Sequence, residues 1–222
     1  MAAIVMVMGQ SGTGKSTSLR NFKKGEASII NVSRKPLPFR CEVPVAQTGN
    51  YATIKELLQK TTSKAIIIDD ATYLLVNEYM SKADEKGYDK YTNMAKSFWD
   101  LMNFCINALP EDKIVYFLGH SEQADDGREH FKTVGKMLDN TVVLEGYCTV
   151  VLKTVVEDGH YYFSTHNNGR DTVKTPFGMF KEDRIDNDLK AVDTCLREYF
   201  GLVEKKAKAY LDEKKNQTTE EK

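Results

Sequence analysis

Gly9-x-x-x-x-Gly14-Lys15-Ser16 is the stretch of this chain with the plainest chemistry. The pattern suits a backbone loop that holds phosphate. Glycines let the chain fold back, so that several N–H groups converge on phosphate oxygens. Lys15 offers a point charge to the β- and γ-phosphates, and Ser16 offers a hydroxyl to Mg2+. The expected contact set is Gly9, Gln10, Ser11, Gly12, Thr13, Gly14, Lys15, Ser16 and Thr17.

Two further stretches place polar groups at the ends of apolar runs. Ala65-Ile66-Ile67-Ile68 runs into Asp69-Asp70. Three consecutive isoleucines suit a central parallel strand, apolar on both faces. Asp69 then falls at a carboxyl end, where open α/β sheets bind ligands. Its carboxylate is expected to stand behind the Mg2+ held by Ser16. Asp70 reads either as the group that orients the attacking water or as a helix N-cap. The apolar run 114–119 leads into His120-Ser121-Glu122, where His120 reads as a sensor of the γ-phosphate or as a cap on the sheet edge. Lys15, Asp69, Asp70 and His120 are thus the catalytic candidates.

The elements that must position these groups follow from periodicity. Strands are predicted over 3–8, 27–32, 65–69 and 114–119. Helices are predicted over 15–24, 51–60, 71–80 and 92–109. The helix at 15–24 is expected to turn its positive N-terminal end toward the anion. Two prolines in Ser33-Arg34-Lys35-Pro36-Leu37-Pro38 require a loop, and 39–45 is ambiguous, with room for an edge strand. Residues 121–139 have weak helical periodicity and the composition of a mobile loop. They carry Arg128, Lys132 and Lys136 with Phe131 between, a pattern suited to single-stranded nucleic acid or to a solvated surface. Strands are predicted over 141–144, 147–156 and 160–165, with a hairpin turn at Glu157-Asp158-Gly159. A helix over 186–200 and a charged tail over 202–222 complete the chain. One α/β domain over 1–201 is expected, its parallel sheet extended by later antiparallel strands.

Composition narrows the classes. The chain has 222 residues, is 41% hydrophobic and 28% charged, and carries a formal net charge of −1. Any nucleic-acid contact must therefore come from a local patch. No apolar run approaches the ~20 residues that span a bilayer, and no signal peptide is expected because the chain enters its first strand directly. Cys41, Cys105, Cys148 and Cys195 are widely spaced and read as free thiols in a cytoplasmic protein. A small-molecule kinase would need a lid bearing several arginines, and only Arg128 lies in the region available for one.

Taken together, the loop at 9–16, the Asp69 strand, the polar-tipped strand 114–119, the basic segment 128–136 and the hairpin 147–165 resemble the RecA-like P-loop ATPase core. More narrowly, Gly119-His120-Ser121-Glu122 and Asp171-Thr172-Val173-Lys174-Thr175-Pro176 resemble the short AAA-type ATP-binding proteins of tailed phages. Some of those are RecA-like single-strand annealing recombinases. The resemblance implies a phage-type ATPase in the cytoplasm of a bacterial host, with ATP and Mg2+ as cofactors and assembly into a homo-oligomer. It implies single-stranded DNA as partner through Arg128, Lys132 and Lys136, and a cation reaching a neighbouring subunit's nucleotide from Arg170 or Lys174. The alternative is an ATP-dependent helicase-loading or replication accessory protein, with a helicase or a single-strand-binding protein as partner. A small-molecule phosphotransferase comes third. RecA-like ATPases place a catalytic Glu after the second strand. Here that strand runs into Ser33-Arg34, leaving the role to Asp70 or hydrolysis slow. The long N-terminal oligomerisation segment of RecA-like recombinases has no counterpart before the first strand.

Overall fold

Runs of Val, Ile and Met that are apolar at every position can be buried only where both faces of a sheet are covered. The computed structural model, which describes residues 2–135 and 137–202, places them so. Strand β1 (Ala3–Gly9) lies between β5 (Ile114–Gln123) and β7 (Val150–Glu157), parallel to both. Beyond β5 come β4 (Ala65–Asp69), β2 (Ala27–Asn31) and the short edge strand β3 (Val45–Gln47), all parallel. On the other side, β8 (His160–Ser164) and β9 (Arg184–Asp186) continue from β7 antiparallel. The order is β3-β2-β4-β5-β1-β7-β8-β9, with β6 (Glu129–Phe131) paired antiparallel to the far end of β5.

Helices α1 (Tyr51–Lys60), α2 (Thr72–Ser81) and α3 (Asp89–Ala108) cover one face. Ile4, Met6 and Met8 point to that side, where Phe98 of α3 stacks against Phe117 and Phe131 at ring distances of 5.9 and 6.3 Å. Val5 and Val7 point to the other side, covered by α4 (Leu189–Tyr199) through Leu189, Val192 and Leu196. Alternation along each strand thus feeds two cores. Asp188 caps α4 by accepting from the N–H groups of Lys190 and Ala191, as Asn50 caps α1.

Several expectations are corrected. The helix over 15–24 is only a 3₁₀ turn, Ser16–Leu19. Its hydroxyl-rich start competes for backbone groups: Ser18 Oγ donates to the Lys15 carbonyl at 2.6 Å. The strand over 141–144 is absent. A π-type turn (Leu138–Val142) and a 3₁₀ turn (Leu144–Tyr147) replace it, joined at Val143 with φ 49°. Residues 121–131 form a β-hairpin rather than a weakly helical loop, turning at Asp126-Gly127. β7 joins the parallel sheet, so the antiparallel extension begins only at β8. The edge strand allowed for in 39–45 forms instead as β3, which shares only Val45 with that segment, and α4 begins at Leu189, three residues later than expected, after β9. The tail expected after 202 lies outside the described residues, as does Lys136. No helix among the described residues is long and apolar enough to cross a membrane.

Candidate functional site

Parallel pairing brings the carboxyl ends of four strands to one edge. Gly9 is in register with His120, and Asn31 with Asp69. The chain leaves β1 for β2, which lies beyond β5 and β4, so the loop after β1 opens over a point where strand order reverses.

A cavity of about 430 Å³ lies there. Ser11, Gly12, Gly14, Lys15, Ser16 and Thr17 form its floor. Gly12 and Gly14 have φ of 81° and 92°, which other residues rarely adopt. Gly9 is required for a different reason: a Cβ there would stand 1.9 Å from Thr154 Oγ1. Gln10 and Thr13 face away from the cavity and anchor the loop. Gln10 Nε2 donates to the Ser121 carbonyl at 3.2 Å, and the Thr13 and Thr154 hydroxyls share a hydrogen bond of 2.5 Å.

Lys15 is buried and bends back over its own loop, Nζ donating to the carbonyls of Gly9 (2.9 Å) and Gln10 (2.8 Å). Burial lowers its pKa, with Asp70 and then Asp69 acting against that. Ser16 Oγ donates to Asp69 Oδ1 at 3.0 Å. Burial, and next the neighbouring Asp70, push the Asp69 carboxyl up to about 6, while the Ser16 bond pulls the other way. Asp70 itself sits at φ 58° and lines the cavity. It is not the N-cap of α2, which starts from Ala71 without a side-chain cap.

His120 also lines the cavity. Its ring meets Tyr73 edge-on at 5.8 Å, and its N–H donates to Thr72 Oγ1 at 2.9 Å. Burial, followed by the charge of Lys15, lowers its pKa, which favours the neutral imidazole. Gly119 before it leaves room for the Phe131 ring, which a Cβ would meet at 2.3 Å.

The oxygen pair of Ser16 and Asp69 fits a hard divalent cation such as Mg2+, which takes one or two protein oxygens and completes its shell from phosphate and water. Among the described residues no group of three or more His, Cys, Asp or Glu could hold a metal by itself.

The remaining candidates lie elsewhere. Arg128 pairs with Asp126 across the hairpin turn at 2.7 Å, and Lys132 stands 3.9 Å from Glu122. The Arg170 carbonyl accepts from Glu129 N, Lys174 pairs through its backbone with Val151, and neither residue lines the cavity.

Lys35, Pro38, Tyr73 and Tyr161 complete the cavity wall, and the sequence reading assigned none of them a role. They come from three distant segments, so spacing carries no sign of them. Tyr161 also borders a second cavity of about 490 Å³ with Thr17, Arg20 and Asn187. Asn187 is buried at 3% exposure, yet neither its Oδ1 nor its Nδ2 has a hydrogen-bond partner among the described residues. One omission had a visible signal: Asp126-Gly127 between alternating residues marks the β5–β6 hairpin.

The chain matches no protein-family model and no curated protein.

Proposed function

We propose that this chain is a Mg2+-dependent ATPase of the RecA-like kind, with the nucleotide's phosphates on the loop Gly9–Thr17. The Ser16–Asp69 hydrogen bond carries the reading. It joins the two motifs across 53 positions of sequence and holds a buried carboxylate oxygen against the hydroxyl of Ser16, which lines the cavity. The sheet order supports it, because the polar-tipped strand β5 lies between β1 and the Asp69 strand.

Lys15 would exchange its two loop carbonyls for phosphate oxygens, a swap of neutral acceptors for charged ones. The bound cation would neutralise charge on the phosphates, with Ser16 and Asp69 as its protein oxygens. Asp70 and neutral His120 face the same space, suited to orienting a water and contacting the terminal phosphate. The base and ribose would take the second cavity past Tyr161, which Thr17, Arg20 and Asn187 also line. Catalysis here is positioning and charge stabilisation.

Action on single-stranded DNA in annealing or recombination, in a phage-infected bacterial cell, extends this proposal. Gln10 links the phosphate loop to Ser121, and β5 leads on to the basic segment 128–136. Nucleotide state can thereby reach that segment. The ion pairs of Arg128 and Lys132 favour a second reading, a nucleotide switch for a protein partner such as a helicase. ATP turnover measured with and without oligonucleotide, across protein concentration, separates the two. Stimulation by DNA, lost in Lys15→Ala, supports the first. Turnover indifferent to DNA but changed by a helicase supports the second, and no turnover under either condition removes the ATPase assignment.

A further inference from the structure

We propose that Lys35 is a cation acting within its own chain that grips the terminal phosphate of the nucleotide. This rests on the nucleotide reading above and goes further, because it names what distinguishes a triphosphate from a diphosphate at this site.

The turn that presents Lys35 is built around one buried side chain. Asn31 ends β2 at 2% exposure. Its Nδ2 donates to the Lys35 carbonyl at 2.6 Å, and its Oδ1 accepts from Arg34 N at 2.9 Å and Ser33 Oγ at 3.2 Å. Arg34 sits at φ 58°, and Pro36 follows immediately. A single carboxamide therefore closes the turn, and a proline stiffens its exit. Because Asn31 is in register with Asp69, the turn emerges beside the metal-binding carboxylate.

The side chain crosses the cavity mouth. Lys35 Nζ lies 4.9 Å from the centroid of the Tyr73 ring, and Tyr73 packs edge-on against His120. Among the described residues no carboxylate forms an ion pair with Lys35. An exposed ammonium resting on a half-buried ring gains only about 1 kcal/mol, so a phosphate oxygen displaces the ring readily. Lys15, from the loop after β1, and Lys35, from the turn after β2, both line the cavity. The charge of Lys35 is felt at His120, where it helps hold the imidazole neutral. Arg170 and Lys174, expected to serve a neighbouring subunit's nucleotide, stand outside this cavity.

Lys15 and the loop N–H groups can hold a diphosphate. Lys35, across the cavity beside His120, meets only the third phosphate. The test is equilibrium binding of ATP and of ADP, each with Mg2+ at fixed ionic strength, to the full chain and to Lys35→Ala and Lys35→Arg. A charge-assisted contact implies that Lys35→Ala weakens ATP by about 10- to 100-fold. ADP should stay within about twofold, and Lys35→Arg should recover part of the ATP affinity. Equal weakening of both nucleotides, or of neither, overturns the proposal while leaving the nucleotide site in place. Failure of the unaltered chain to bind either nucleotide overturns the underlying reading instead. Lys35 is exposed, so the variants are expected to fold, with circular dichroism as the check. Mixing Lys15→Ala with Lys35→Ala protein tests the origin of the cation. Recovered hydrolysis would show Lys35 acting on a neighbour and overturn action within the chain, whereas none is expected.

Discussion

Replacing Asp69 by Asn should stabilise the protein and, on the proposed function, weaken its binding of ATP with Mg2+. The carboxyl ordinarily titrates at 3.8 and is pushed up to about 6 in the fold, by burial first and by Asp70 second. At about 1.4 kcal/mol per pH unit, that gap places the cost of the buried charge at about 3 kcal/mol. Well below pH 3.8 the group is neutral both folded and unfolded, and the cost vanishes. Between pH 4 and 6 the folded state keeps a proton that the unfolded chain releases, so stability falls as pH rises. Above pH 7 the full cost is present. Asn keeps an oxygen for Ser16 Oγ and carries no charge. Urea unfolding in EDTA, without nucleotide, should therefore show the variant about 1–3 kcal/mol more stable at about pH 8, with the difference nearly gone at about pH 3. A variant less stable at pH 8 than the parent, or a difference that does not grow with pH, would refute the electrostatic account of Asp69.

Gly9→Ala should cost about 1–3 kcal/mol in urea unfolding, because the new methyl meets Thr154 Oγ1, and adding Thr154→Ala should return part of the loss. Asp193 accepts from the buried Tyr116 hydroxyl at 2.7 Å and from Arg197 at 2.8 and 3.0 Å. Asp193→Ala should therefore destabilise by about 3 kcal/mol in urea unfolding. Lys132→Ala with Lys136→Ala should leave ATP affinity unchanged. The pair should weaken oligonucleotide binding and flatten its dependence on salt, and equal binding at low salt would remove that segment from the interface.

What was legible in the sequence was what depends on residue type at short range. The strands around Ile66–Ile68 and Val115–Leu118 need burial on both faces, and no other element of that length supplies it. The loop at 9–16 needs glycine where φ is positive or space is closed, so its pattern survives in the one-letter string. Residues 141–144 misled because Val and Thr favour strands, whereas packing turns Val143 into a left-handed corner. The segment 15–24 misled because Leu19 and Phe22, three apart, suit a 3₁₀ turn as well as an α-helix. Lys35, Tyr73, Tyr161 and Asn187 come together only through the sheet order, which brings 31–38, β8 and β9 to the loop at 9–16. No local pattern encodes such a meeting.

The most direct measurement is the affinity of the protein for ATP by titration calorimetry, with Mg2+ and then with EDTA, for the parent and for Lys15→Ala. The account predicts binding that weakens sharply in EDTA and is lost in the variant. ATP binding unaffected by Lys15→Ala, or no binding by the parent with Mg2+ present, would contradict it.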